Sequence, residues 1–210
     1  MILYSSRNEL LQVLEHSPSN TIDSILIITG SLKPYNFAEV TKILDECVRT
    51  LKDGGVLFVQ GRPFYLPELG VYLDNRLIFK YWIVINSSEQ KFTAGLPSTH
   101  AAVLMFVKGK GRFLINRLRF PHEQCDFCHK TLRDWGGKAH LMNPDGYAAS
   151  DVWSALLIDD NYTQLSSSAM DHILKLVSSE TNNNKINWSD DKSIAETIIV
   201  GPIERDSSLS

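Results

Sequence analysis

The sequence predicts an α/β fold built around a mostly parallel sheet. Residues 25–29 and 56–59 are short, continuously apolar runs, which is typical of strands buried on both faces. Between them, the apolar side chains of residues 37–51 recur at spacings of three and four, as in an amphipathic helix. Strand, helix and strand in this order form a βαβ unit, for which a right-handed crossover is expected.

The same periodicities predict the remaining elements. Glycines and a lysine at residues 52–55 suggest the C-terminal end of the first helix. We expect a short helix at 66–76, an antiparallel strand pair at 78–85 and 102–107, a helix at 166–177 and a last strand at 198–200.

Composition narrows the class of protein. A chain of 210 residues with 43% hydrophobic residues can bury one sizeable core. No apolar run approaches the ~18 residues of a membrane helix, and the N-terminus lacks the features of a signal peptide. Three cysteines suit a reducing compartment better than a disulfide scaffold. We therefore expect a soluble, cytoplasmic protein.

Charge is distributed unevenly along the chain. The net charge is −3, but residues 80–140 hold 10 Lys/Arg and 4 Asp/Glu, whereas residues 141–210 hold 4 and 11. A basic block between acidic flanks is one way to recognise phosphate. The alternative is a solvated surface stripe with no ligand.

Residues 122–153 carry the most informative pattern. They combine a CxxC pair, a Gly-Gly turn, clustered basic residues and two tryptophans, without a clean helical or strand period. The order of these residues resembles the variable region of bacterial DNA methyltransferases that modify the exocyclic amino group of cytosine or adenine. The residues that match are Cys125, Cys128, the run from Arg133 to Lys138, His140, Pro144, Gly146 and the run from Ser150 to Trp153.

This resemblance implies a Rossmann-like methyltransferase sheet with an inserted basic, CxxC-containing recognition segment. It divides the chain into a catalytic half (1–107), a recognition region (108–156) and a returning helix and strand of a truncated cofactor half (157–210). Residues 95–109 also resemble the family's edge strand, in which a His precedes an apolar run ending in Lys-Gly. The implied cofactor is S-adenosylmethionine, and the implied partner is double-stranded DNA.

The family's catalytic loop, S/D/N-Pro-Pro-Tyr/Phe, is expected at the carboxyl end of the first buried strand. Pro34 and Tyr35 fit the end of this motif, and the resemblance assigns Tyr35 to stacking on a base flipped out of the duplex. Leu32 stands at the position that should accept a hydrogen bond from the target amine, and leucine cannot accept one. Ser31, one residue earlier, is the substitute. The sequence therefore predicts impaired methyl transfer.

The cofactor motifs also depart from the family pattern. Thr163 lies in a stretch that resembles the run introducing the cofactor-side helix. Pro202 fits the Asp-Pro-Phe-x-Gly-x-Gly motif, but Gly201 replaces its acidic residue and the later glycines are absent. We expect this chain to build an incomplete cofactor pocket, which a second methyltransferase or restriction subunit would complete.

The CxxC pair suggests a structural zinc site. Cys125 and Cys128 would supply two ligands, and His122, His129 and His140 are the available completions, because closed zinc sites need four N or S ligands. The expected set is completed by His122 and His140. The alternative is a reduced pair that packs as small hydrophobic side chains.

Basic residues before and within this region are the candidate DNA contacts. They are Lys108, Lys110, Arg112, Arg117, Arg119, Arg133 and Lys138. Trp135 and Trp153 are more readily explained as core anchors than as stacking platforms.

Three functional hypotheses follow. The first is a degenerate DNA methyltransferase that binds DNA as an accessory component of a modification, restriction or defence system. The second is an active amino-methyltransferase whose cofactor site is completed by a partner chain. The third is an interaction module whose basic block contacts an acidic protein instead of DNA.

Overall fold

The structure of this protein is a computed structural model. It describes residues 2–4, 7–29, 36–91, 98–110, 115–131, 139–158, 165–177 and 197–200.

The described residues form nine strands, four α-helices and a short 3-10 helix (Ala139–Leu141). Seven of the strands form one mixed sheet in the order β1-β9-β2-β3-β5-β4-β8. In chain order the elements are β1 (Ile2–Tyr4), α1 (Arg7–His16), β2 (Ile22–Ile28), α2 (Phe37–Thr50), β3 (Leu51–Gly61), α3 (Leu66–Asp74), β4 (Ile78–Lys91), β5 (Ser98–Val107), β6 (Arg119–Phe120), β7 (Tyr147–Ala148), β8 (Val152–Ile158), α4 (Ser167–Val177) and β9 (Thr197–Val200). Strands β6 and β7 form a separate antiparallel pair.

Strand directions define two edges of the large sheet. Strands β1, β9, β2 and β3 are parallel, so their carboxyl ends lie at one edge, which we call the carboxyl edge. Strand β5 runs antiparallel to β3, with Val107 opposite Val56 and Ala102 opposite Gly61. The chain therefore leaves β5 at the opposite edge, which we call the amino edge.

Helix α2 forms where the apolar period predicts it. The Asn36 side chain accepts a hydrogen bond from the amide of Ala38 and caps the N-terminus. The buried face comprises Val40, Thr41, Ile43, Leu44, Cys47 and Thr50.

The predicted end of α2 was wrong. The helix ends at Thr50, and residues 52–55 already belong to β3, because Leu51 adopts an extended conformation immediately after the last turn. The glycines expected to stop the helix instead lie within the strand.

Each face of the sheet is covered by a different set of elements. Helices α1, α2 and α3 pack on one face, where Ile25, Ile27, Leu57 and Val59 are buried. The other face is covered by α4 and by side chains of the region after β5, including the buried Trp153. This layered arrangement buries β2 and β3 on both faces, as their uninterrupted apolar runs indicate.

The mixed α/β fold and the predicted elements are confirmed by β2, α2, β3, α3, the β4–β5 pair, α4 and β9. The prediction did not include β1, α1, β6, β7 or β8. Among the described residues, no helix is long and apolar enough to cross a membrane.

Candidate active site

The two strands that precede the predicted catalytic and cofactor loops end side by side at the carboxyl edge. Strands β2 and β9 are parallel neighbours, with Leu26 opposite Ile199 and Ile27 opposite Val200. Their ends lie side by side, so the chain leaves both strands at one point of the sheet. Ligand sites of α/β folds form at this edge.

The predicted loop residues themselves lie outside the described residues. This applies to Ser31, Pro34 and Tyr35 after β2, to Gly201 and Pro202 after β9, and to Thr163 before α4. Their roles stay predictions.

The ends of β2 and β3 are tied together. The hydroxyl of the buried Thr29 donates to the carbonyl oxygen of Gln60, with 2.9 Å between Oγ1 and O. Gly61 follows, and a Cβ atom built there would lie 2.4 Å from the Thr29 Oγ1. The close approach of these two strand ends therefore depends on the absence of a side chain at residue 61.

A turn that sequence reasoning did not single out follows β3 at the same edge. The amides of Tyr65 and Leu66 donate to the carbonyl oxygen of Arg62, with N-to-O distances of 3.0 and 3.2 Å. Phe64, inside this turn, is 84% exposed, and its ring meets the Tyr65 ring edge-on at 5.2 Å. The available signal was an aromatic pair directly after a buried strand.

The basic segment starts at the amino edge of the sheet. Because Val107 pairs with Val56, Lys108 and Lys110 lie near the start of β3. Gly61, at the carboxyl edge, follows Val56 by five residues of β3. At the rise of a strand, these five residues span roughly 17 Å.

Lys108 has a structural role that the DNA-contact prediction did not include. Its ammonium donates to the carbonyl oxygens of Val48 and Leu51 and to the Asn20 side chain, and lies 3.3 Å from the Arg49 carbonyl oxygen. These carbonyls belong to the C-terminal end of α2, where a cation is favourable. Burial lowers the pKa of the Lys108 ammonium, and the nearby Asp53 carboxylate partly offsets this.

The other predicted DNA contacts have varied surroundings. Lys110 and Arg117 are exposed, and Arg117 lines a cavity of about 510 Å³ together with Tyr81 and Asp151. Arg119 is half-buried, and its guanidinium donates to the carbonyl oxygen of Gly146 at 2.7 Å. Arg112, Arg133 and Lys138 lie outside the described residues.

The β6–β7 pair is anchored to the sheet by aromatic rings. Phe120 stacks on His172 of α4 with ring centroids 4.9 Å apart and meets Trp153 edge-on at 6.3 Å. The Trp153 indole is 2% exposed and donates to the carbonyl oxygen of Ser150. The prediction that Trp153 anchors the core is confirmed, whereas Trp135 lies outside the described residues.

Cys125 and Cys128 lie on a small hairpin. The Cys125 amide donates to the carbonyl oxygen of Lys130, the His129 amide donates to that of Cys125, and Gln124 pairs with Thr131. His129 adopts a left-handed conformation with a φ of 53°. These backbone contacts define the hairpin.

The predicted four-ligand zinc site is not formed. No group of three or more His, Cys, Asp or Glu side chains in the described part of the chain is arranged to hold a metal ion. A ring nitrogen of His122 instead lies 2.8 Å from the carbonyl oxygen of Asn143, and the His140 side chain is exposed. His122 is thus engaged elsewhere, and the described residues supply no third ligand beside the CxxC pair.

Cys125 and Cys47 differ in acidity. Hydrogen bonds from the backbone amides of Cys128 and Phe127 lower the pKa of the Cys125 thiol. Complete burial on α2 raises the pKa of the Cys47 thiol far above its usual value. Cys47 therefore stays a neutral thiol, whereas the hairpin pair is the accessible one.

Comparison with known proteins identifies the family and the fold of this chain. A family model described as DNA methylase matches residues 32–197. The Type II methyltransferase M.BamHI of Bacillus amyloliquefaciens is 33% identical over 152 residues, a match that covers 66% of this chain and 35% of M.BamHI. The chain thus spans about a third of the length of this curated relative.

Among solved structures, the crystal structure of M1.HpyAVI aligns with a TM-score of 0.55 at 12% sequence identity. The alignment covers 97% of this chain and 92% of M1.HpyAVI. At this identity the likeness shows the fold alone.

Proposed function

Since this chain belongs to the N6/N4 family of DNA methylases, we propose that it binds duplex DNA as a methyltransferase-like subunit whose own methyl transfer is impaired. The observation that carries the proposal is the parallel pairing of β2 with β9. This pairing fits a site in which the loop after β2 receives the target base and the loop after β9 receives the cofactor. Both lie at the edge where α/β sheets bind ligands.

The proposed site acts on a base extruded from the duplex, because the amino group is out of reach inside the stack. Tyr35 would stack on the extruded base. S-adenosylmethionine, when bound, supplies an electrophilic methyl group. The Thr29–Gln60 hydrogen bond and the close approach at Gly61 support this assignment, because they hold in place the end of β2, after which Tyr35 follows in the sequence.

Impairment is proposed from the side chain at residue 32. Methyl transfer to an amino nitrogen is faster when a nearby group accepts a hydrogen bond from its N–H. Pre-oriented polar groups of this kind account for a large share of an enzyme's rate enhancement. Leu32 stands where the family carries that acceptor, and Lys33 adds a cation beside a nitrogen that becomes positive. Both changes oppose the transition state.

The proposed subunit would act with other chains. Gly201 in place of an acidic residue weakens the cofactor side of the site. A second methyltransferase or restriction subunit that completes the pocket is consistent with this, within a modification, restriction or defence system.

A second candidate function is active methylation of cytosine N4 or adenine N6 by this chain. The same β2–β9 pairing favours it, together with Pro34 and Tyr35 at the end of the catalytic motif. In this version Ser31 or a backbone carbonyl oxygen orients the target amine.

Transfer of labelled methyl groups from S-adenosylmethionine to unmethylated bacterial genomic DNA tests the proposal. Such DNA contains every short target sequence, so the recognition site need not be known. The natural chain should transfer little label, and Leu32→Asp combined with Lys33→Pro, which restores the family motif, should raise the transfer. Adding Tyr35→Ala to the restored variant should abolish it.

Calorimetric titration of the natural chain with S-adenosylmethionine, alone and with duplex, provides a second measurement. Cofactor binding together with methyl transfer by the natural chain equal to that of the restored variant would overturn impairment and establish the active enzyme. DNA binding without cofactor binding would indicate that a partner chain has to complete the cofactor site.

A further inference from the structure

We infer that Phe64 is a positioning residue for DNA, whose ring packs into the base stack beside the target nucleotide when that base is extruded. The inference rests on the proposed function, because it takes the carboxyl edge as the edge that meets DNA.

The first step concerns where Phe64 lies. Gly61 ends β3, and Ile28 of β2 pairs with Gln60, so the two strands finish together. Phe64 follows Gly61 by three residues, and Tyr35 follows Thr29 by six. Phe64 therefore lies on a segment that leaves β3 beside the end of β2. Tyr35, outside the described residues, is expected in the segment that follows β2.

The second step concerns how firmly the turn is held. Both amides after Phe64 donate to the carbonyl oxygen of Arg62, and Leu66, the first residue of α3, is fully buried. Pro63 precedes Phe64 and fixes one further backbone dihedral angle. Phe64 is thus an exposed side chain on a fixed backbone, and little conformational entropy is lost when it binds.

The third step concerns the chemistry of the side chain. An aromatic ring that is 84% exposed gains most from contact with another flat, apolar surface. Base faces provide such a surface, and apolar wedges that enter a base step are a known way to hold open a distorted duplex. Removal of one base from the stack leaves a gap that a phenyl ring can fill.

Phe127 provides the matched control. It is also an exposed phenylalanine, at 98%, but it lies on the hairpin of Cys125 and Cys128. This hairpin does not follow any strand that ends at the carboxyl edge.

The experiment compares affinity for two duplexes of identical sequence, one of which carries a single abasic site. A protein that fills the gap left by a missing base should prefer the abasic duplex, because no base has to be extruded. We expect Phe64→Ala to reduce this preference about tenfold, within the range of one base–aromatic stack. Phe64→Trp should retain it. Phe127→Ala changes a residue of the recognition region, so it should change the affinities for both duplexes by the same factor and leave their ratio unchanged.

The salt dependence of binding separates this role from a general weakening. Because phenylalanine carries no charge, Phe64→Ala should not alter the slope of affinity against salt concentration. Thermal melting of each variant checks that the fold is kept.

Each remaining outcome decides a separate point. No binding of either duplex by the natural chain would contradict the proposed function. Binding with an unchanged abasic preference in Phe64→Ala would contradict the role of Phe64 alone. An equal loss in Phe127→Ala would assign the effect to exposed aromatic rings in general and would also overturn the inference.

Discussion

Lys108 and Lys110 differ by two positions in sequence, yet within the described part of the chain only Lys108 is bonded to the fold. The Lys108 ammonium contacts the C-terminal carbonyls of α2, whereas Lys110 is exposed. Lys108→Met keeps the aliphatic stem but leaves these half-buried carbonyls without their donor. We expect it to lower the free energy of unfolding by about 1–3 kcal/mol.

Urea denaturation measures this effect, with Lys110→Met as the control. The same substitution at an exposed position should change stability by less than about 0.5 kcal/mol. Equal effects of the two variants would mean that the contacts at the end of α2 contribute nothing.

The thiols give a second prediction at the residue scale. A disulfide-exchange reagent should modify Cys125 and Cys128 in the native protein and Cys47 only after unfolding, because Cys47 is completely buried. Since the amide donors lower the pKa of Cys125, its thiolate forms at a lower pH than an ordinary thiol. Its reaction rate should rise with pH and level off earlier than that of a free cysteine.

Mass spectrometry after timed alkylation at several pH values follows each thiol separately. A Cys125 rate that rises over the same pH range as that of free cysteine would show that the amides of Phe127 and Cys128 do not stabilise its thiolate. Modification of Cys47 in the native protein would show that α2 opens readily.

At the scale of elements, the contact between the ends of β2 and β3 is the most restrictive. Gly61→Ala would place Cβ 2.4 Å from the Thr29 Oγ1, which is too close for either atom to stay in place. We expect a loss of about 1–3 kcal/mol in the free energy of unfolding. Thr29→Ala removes the oxygen and its hydrogen bond to Gln60, at a cost of about 1 kcal/mol.

The double variant tests the cause. If the clash is with the Thr29 hydroxyl, Gly61→Ala combined with Thr29→Ala should destabilise the protein by less than the sum of the single changes. Denaturant titration of the four proteins gives this coupling. Strict additivity would place the strain elsewhere in the β3–α3 connection.

Elements with a strong local period were predictable from sequence, and those defined by distant contacts were not. Helix α2 follows from the spacing of its apolar residues. Its end does not, because the last carbonyls are bound by Lys108, which lies 60 residues after Val48 in the sequence. Strand β1 has only three residues and forms by pairing with β9 from the other end of the chain.

The direction of one strand sets the layout of the whole molecule. Because β5 runs antiparallel to β3, the basic segment leaves the sheet at the amino edge, away from the strand ends that carry the proposed site. The basic composition predicts a DNA contact, but it does not indicate at which end of the strands the basic residues lie. For the same reason the sequence does not single out Phe64, which reaches the carboxyl edge only through the parallel pairing of β3 with β2.

The charge pattern of the whole chain yields the final prediction. The chain has a net charge of −3, and its basic block of residues 80–140 is followed by acidic residues. Electrostatic attraction to duplex DNA therefore comes only from local contacts between cations and phosphates. Each such contact releases counterions and contributes about −0.9 to the slope of log affinity against log salt concentration. Exposed Lys110 and Arg117, together with cations outside the described residues, predict a slope of roughly −2 to −4.5.

Fluorescence anisotropy with a labelled duplex between low and physiological salt measures this slope. Arg117→Gln should make the slope shallower by about the contribution of one phosphate contact. Lys108→Met should leave the slope unchanged, because its ammonium is held by α2. A slope near zero in the natural chain would favour an acidic protein partner over DNA, and a shallower slope in Lys108→Met would mean that DNA displaces this lysine from the helix.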